Sequence, residues 1–203
     1  MFPPELEGAF KFINKAMKTA ICTLKSTSPY SQGRYHLTPE KPKEGKGDYE
    51  IRTWREKLHY LPETGQIFIP PMSFAVSLKE AAKYLNIQIP GKGKSTFTKN
   101  FDAGVMVTEP LLIDAYKDDV PCEQVYVPSD GRRGGTTRVM KSFPLIQKWE
   151  GTVMYYILDD IITEDIFRKV LEASGNLIGV GRFRPRNCGY YGRFEITKIE
   201  WNE

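Results

Sequence analysis

Apolar residues recur along this chain with two different periods, and the order in which the periods alternate restricts the fold more than any other feature. A helical step comes first: Leu6, Phe10, Ile13 and Met17 stand four, three and four apart behind Pro3 and Pro4, predicting a helix over 3–18. Residues 19–28 then alternate, Ala20, Cys22, Leu24 and Ser26 against Ile21, Thr23, Lys25 and Thr27, as a strand with one better-buried face does, and Ser28-Pro29 ends it. The polar stretch 38–50, TPEKPKEGKGDYE, has no period and reads as a mobile loop outside the core. Gln66–Ile69 is strand-like. A helix follows over 73–85, with Phe74, Leu78, Ala81, Ala82 and Leu85 on one face and Ser77 with Glu80 as a local capping pair.

Beyond the Lys- and Gly-rich link 90–100, GVMVTEPLLI reads as a buried strand, EQVYVP as a short one and TVMYYIL as a third. Thr163 is placed to cap a helix carrying Ile166, Phe167, Val170 and Leu171, which Gly175 closes. LIGVG and GRFEITKIEW follow as strand-like pieces around a Gly/Arg loop. The order is neither a regular βαβ repeat nor all-β, and it predicts an α+β fold. A ferredoxin-like core, β-α-β-β-α-β and akin to RNA-recognition domains, accounts for it with least strain.

The net charge of +4 hides a strong polarisation. Three windows, 82–101, 131–149 and 175–194, hold thirteen of the 29 basic residues and none of the 25 acidic ones, which leaves the remainder of the chain at −9. The first contains Lys83, Lys92, Lys94 and Lys99; the second Arg132, Arg133, Arg138, Lys141 and Lys148; the third Arg182, Arg184, Arg186 and Arg193. Folded together, such windows present a basic surface to a polyanion.

The segment 175–194, GNLIGVGRFRPRNCGYYGRF, combines five glycines, four arginines and four aromatics. Glycines let a backbone pass close to a phosphate chain, arginines neutralise phosphates, and Phe183, Tyr190, Tyr191 and Phe194 can stack on unpaired bases or anchor the loop. The segment 128–141, PSDGRRGGTTRVMK, reads as a phosphate-contacting hairpin, and Ser28–Arg34 brings Tyr30 and Arg34 to a strand end.

Other chemistries find little support. The dinucleotide fingerprint fails, because Arg184 stands where its third glycine belongs, and the spacing around Gly93-Lys94-Ser95 is not that of a P-loop. His36 and His59 are the only histidines, and no His/Cys/Asp cluster has metal-ligand spacing, so neither a cofactor nor a metal is expected. Cys22, Cys122 and Cys188 are too far apart for a disulfide framework and fit a reducing interior. No apolar run is long enough for a membrane span, and MFPPELEGAF lacks the pattern of a secretory leader, so a cytoplasmic setting is expected.

Three pieces, in order, resemble landmarks of the RAMP superfamily, the RNA-binding proteins of CRISPR effector complexes, and within it the backbone subunits that coat the guide RNA. SPYSQGR at 28–34 is similar to the segment after the family's first core strand. IPPMSFAVSLK at 69–79 is similar to the Ile-Pro-Gly-Ser-Ser-Leu-Lys entry into its first core helix, with Pro71-Met72 in place of the small residues. GNLIGVGRFRPRNCGYYGRF resembles the glycine-rich loop before the last strand, which in the family lies against RNA. The resemblance implies a single domain over 1–203 with an insertion at about 38–65 and a basic, thumb-like hairpin at about 128–148. It also implies self-association along nucleic acid or a place in a CRISPR-like multi-subunit complex. Residues 28–37 contain no aspartate where target-cleaving members carry their catalytic one.

The leading expectation is a non-enzymatic protein that binds single-stranded nucleic acid, RNA before DNA, through Tyr30, Arg34, Lys92, Lys94, Arg132, Arg133, Arg138, Lys141, Arg182, Arg184, Arg186, Tyr190, Tyr191 and Arg193. Two alternatives stand beside it: a RAMP-type endoribonuclease with His36 as base, and a phage-encoded protein-binding module or decoy that imitates a CRISPR subunit, in a bacterial cell or an infected host.

Overall fold

The computed structural model describes residues 17–129 and 136–203. Most of the helix expected over 3–18, together with Arg132 and Arg133, lies outside them. Lys18 already belongs to β1, Lys18–Ser26. Its alternation works as read: Ala20, Cys22 and Leu24 are fully buried. β1 pairs antiparallel with β8, Glu150–Ile157, on one side and with β9, Phe194–Asn202, on the other, with a register shift at Thr23/Leu24. The two-residue β4, Val105–Met106, adds to the far edge of β8, so the main sheet runs β4-β8-β1-β9, antiparallel throughout.

Two helices contribute to the core built on this sheet. In α2, Pro71–Leu85, the residues Phe74, Ser77, Leu78, Ala81 and Ala82 are buried. In α4, Glu164–Ala173, they are Phe167, Val170, Leu171 and Ala173. The Tyr155 and Phe167 rings meet edge to face at 5.2 Å, joining sheet to helix. Tyr30, Phe74, Trp149 and Phe194 form a second aromatic knot, with centroids 6.0 to 6.4 Å apart.

Between β1 and α2 the chain makes a long excursion: β2, Tyr30–Ser31; α1, Lys46–Thr53; a 3₁₀ turn, Trp54–Lys57; and β3, Gln66–Ile69. α3, Thr98–Ala103, precedes β4; β5, Leu111–Tyr116, pairs with β3; and β6, Cys122–Pro128, forms a hairpin with β7, Arg138–Ile146, whose base holds β2.

Several expectations are corrected. The polar stretch 38–50 is no mobile loop at its end, because α1 forms there and buries Glu50, Thr53 and the adjoining Trp54. Tertiary burial overrides a pattern with no amphipathic period. GVMVTEPLLI breaks at Pro110 into β4 and β5. Ser77 does not cap; it is buried in mid-helix, its hydroxyl 2.8 Å from that of Ser174. Thr163 is the N-cap residue of α4 but makes no side-chain cap bond. Gly175 does not close α4, since a π-helical turn continues to Ile178 and Gly179, at φ +73°, ends it, which also replaces the expected LIGVG strand.

Gly192 shows how tightly the C-terminal loop is built. At φ +75°, an added Cβ would lie 1.8 Å from the Val180 carbonyl oxygen. Gly192→Ala is expected to destabilise the protein by about 3 kcal/mol or more in urea denaturation. Gly47→Ala, in α1 with open space around the added methyl, is expected to stabilise by about 0.5–1 kcal/mol.

Candidate nucleic-acid interface

Residues 28–34 are held between the glycine-rich loop and the β6–β7 hairpin. On the loop side, Gly192 N donates to Pro29 O (2.7 Å), Arg182 N to Ser31 O (2.9 Å) and Arg193 N to Ser28 Oγ (2.9 Å). On the other side β2 pairs with Leu145 and Ile146, and Ser31 Oγ donates to Pro144 O at 2.8 Å. Gln32, buried, donates from Nε2 to Phe68 O and accepts from His59 N, and Arg34 N donates to Lys57 O. A Cβ on Gly181 would lie 2.3 Å from Cε2 of Tyr30. The glycines at 181 and 192 therefore serve first to let the backbone approach its own chain, a different use from the phosphate approach read from the sequence.

This close packing aligns seven side chains in a continuous chain of rings and cations. Arg193 lies 6.0 Å from the Tyr190 ring, Tyr190 and Tyr191 are 5.9 Å apart, and Tyr191 is 6.5 Å from Phe183. The Arg182 guanidinium sits 4.1 Å from the Phe183 centroid and 3.0 Å from that of Phe143, and Lys57 Nζ is 4.4 Å from Phe143. Burial pulls the Arg182 guanidinium down to about 10, still charged at neutral pH. Burial and the hydrogen bond that Tyr191 donates to Glu123 on β6 push the Tyr191 phenol up to about 12.

Lys57 donates to Glu50 Oε2 (2.5 Å) and to Ser142 O (2.9 Å), and Lys141 donates to the other Glu50 oxygen. Burial works to raise the Glu50 carboxyl, but the hydrogen bonds from Lys141 and Lys57 prevail and hold it below the usual range.

Two clefts flank the chain of rings and share Gly33 and Phe143. One, of about 380 Å³, is walled by Tyr30, Gln32, His59, Pro70, Ser73, Gly181 and Arg182. The other, of about 330 Å³, is walled by Arg34, Tyr35, His36, Tyr49 and Lys57. Among the described residues neither has an acidic wall. His36 stacks on Tyr49 at 6.2 Å and meets Thr38 through Nδ1.

The expected site residues are only partly assembled here. Arg182, Tyr190, Tyr191 and Arg193 belong to the loop and are linked through its rings, whereas the Arg34 side chain meets the Leu58 carbonyl and the Tyr60 ring. Tyr190 is 60% and Phe183 40% exposed, ready platforms, and Tyr35 is 81% exposed. Tyr30 is corrected: at 1% exposure it is a core residue that backs the first cleft, not an exposed stacking ring. Arg184 pairs with Glu80 at 2.9 Å and Arg186 lies 3.9 Å from the same carboxylate, so α2 already balances part of the loop's charge. Lys141 is paired with Glu50, while Arg138 is exposed at the start of β7. Lys92 and Lys94 lie on a separate turn closed by the Gln88–Thr96 bridge. Phe143, Lys57, Tyr35 and His59 line these clefts without being among the expected residues. Phe143 stands inside a basic window and could have been found; Lys57 and His59 arrive only through the fold.

Because the folded-state pKa of Glu50 lies below the usual 4.5, its ion pairs contribute stability above that pH and lose it as the pH falls. Glu50→Gln is expected to lower the unfolding free energy by about 2 kcal/mol at pH 7. The gap from wild type should narrow on acidification to pH about 4, read by urea denaturation at both pH values. A gap independent of pH would contradict the assignment.

No protein-family model matches the sequence, and no curated protein does. Solved structures do. A chain of the type III-B Cmr-beta complex bound to cognate target RNA superposes with a TM-score of 0.51 at 10% identity, over 99% of this chain and 68% of that one. Cmr6 from Pyrococcus furiosus gives 0.47 at 15% identity, over 89% and 98%. A chain of a CRISPR RNA-guided surveillance complex gives 0.37 at 8%, over 86% and 65%. At such identities the likeness is one of fold: this chain shares its fold with a chain of the type III-B Cmr-beta complex.

Proposed function

We propose that the chain is a single RAMP-like domain with a ferredoxin-like core that binds single-stranded nucleic acid, RNA in preference to DNA, without cleaving it. The sheet order β4-β8-β1-β9, with α2 between β1 and β4 and α4 between β8 and β9, supports the ferredoxin-like reading. In it the excursion at about 38–65 is the insertion, and the hairpin at about 128–148 is the thumb.

The observation that carries the binding reading is the chain of rings and cations from Arg193 to Lys57, beside two clefts without acidic walls. Exposed rings on a basic loop suit unpaired bases, since stacking is worth about 1–3 kcal/mol per base and tolerates any sequence. Arg34, Arg138, Arg186 and Arg193 are the cations for backbone phosphates, and Arg182 backs the platform. RNA is favoured because a neighbour with a TM-score of 0.51 comes from a complex bound to cognate target RNA. Assembly with copies of itself, or with other subunits along the strand, belongs to the same proposal.

Binding of labelled single strands, followed by fluorescence anisotropy, is expected to weaken steeply with salt, by about 0.7 in logarithmic slope per phosphate contacted. Tyr190→Ala should cost about 1–3 kcal/mol in affinity, and Arg193→Ala with Arg186→Ala should flatten the salt slope. No binding at about 50 mM salt, or unchanged affinity in both the Tyr190→Ala and the double-arginine variant, would overturn the proposal.

A further inference from the structure

We infer that the cleft between Gly33 and the Arg182–Phe143 stack is a pocket for one unstacked nucleobase, an assignment that rests on the binding reading above. The cleft, about 380 Å³, falls within the range of roughly 300–1,000 Å³ typical of small-ligand sites. Its walls include flat surfaces: the Phe143 ring with the Arg182 guanidinium stacked on it, the His59 imidazole and the Pro70 ring. Such walls accept a planar, polarisable ligand rather than a branched one.

Two polar groups in the wall are unspent. The Ser73 hydroxyl and the His59 ring nitrogens make no hydrogen bond among the described residues. Burial and the charge of Arg34 hold His59 below its usual range, so at neutral pH the imidazole offers one donor and one acceptor, as a base edge requires. Gln32, by contrast, has both ends of its amide committed to Phe68 and His59 and braces the wall. The adjoining cleft shares Gly33 and Phe143 and carries the exposed Arg34, which places positive charge where the phosphate of the same nucleotide would run.

The test uses the full chain and oligoribonucleotides carrying a single 2-aminopurine, moved one position at a time along the strand. One position per binding site is expected to change its fluorescence at least two-fold on binding, while its neighbours change less. Ser73→Leu, which fills the cleft from the first turn of α2, and His59→Leu, which removes the hydrogen-bonding edge, should abolish that response and weaken binding by less than about tenfold, because the Tyr190 platform is untouched. Equal responses at every position, or a selective response that survives in a folded variant, would overturn the pocket and leave the binding surface standing. Absence of binding by anisotropy would overturn both.

Discussion

The architecture depends on a strap of seven residues, Ser28 to Arg34, running between the glycine-rich loop and the β6–β7 hairpin. Its backbone takes hydrogen bonds from the glycine-rich loop on one side and pairs with β7 on the other, while Gln32 fastens it to β3 and to the chain before it. The approach is so close that side chains at 181 and 192 would collide with Tyr30 and with the Val180 carbonyl. Loop, strap and hairpin therefore form one rigid patch, whose geometry is set by backbone hydrogen bonds more than by surface charge. Rigidity matters for recognition, because a platform already in place loses little conformational entropy when a strand arrives.

The charge distribution gains a different meaning once the partners are known. Part of the excess positive charge is spent inside the molecule: Arg184 on Glu80, Lys141 and Lys57 on Glu50, and Arg182 between two phenylalanine rings. These groups hold the patch together, and the cations left to meet a polyanion are fewer than the count suggests. On the proposed reading the surface is a stacking platform bordered by a few arginines, a form that suits an unpaired strand better than the regular phosphate rows of a duplex.

Elements with a plain period were legible. β1 announces itself through Ala20, Cys22 and Leu24, α2 through Phe74 and Leu78, and α4 through Phe167, Val170 and Leu171, because each buries one face against a single core. What escaped were features created by long-range contact. α1 buries Glu50 and Thr53 rather than an apolar stripe and is tied down by a carboxylate whose lysine partners are 7 and 91 residues away. Ser77 looks like a cap until Ser174 is found beside it, and Tyr30, next to Pro29 and polar residues, looks like a surface ring until the Trp149 knot closes around it. For the proposed site, the Gly/Arg/aromatic composition of 175–194 marks the loop that carries Arg182, Phe183, Tyr190, Tyr191 and Arg193 of the chain of rings and cations. The cleft walls, drawn from residues 33, 59, 73, 143 and 182, leave no local trace.

The central claim, that one patch formed by strap, loop and hairpin base receives a single strand, is tested most directly by photo-crosslinking the protein to 4-thiouridine-containing RNA and mapping the crosslinked peptides by mass spectrometry. The account predicts crosslinks within residues 28–37, 140–146 and 177–194, including Tyr190 or its neighbours. Crosslinks confined to the β3–β5 ribbon or to the turn carrying Lys92 and Lys94, or no crosslinks at all, would contradict it.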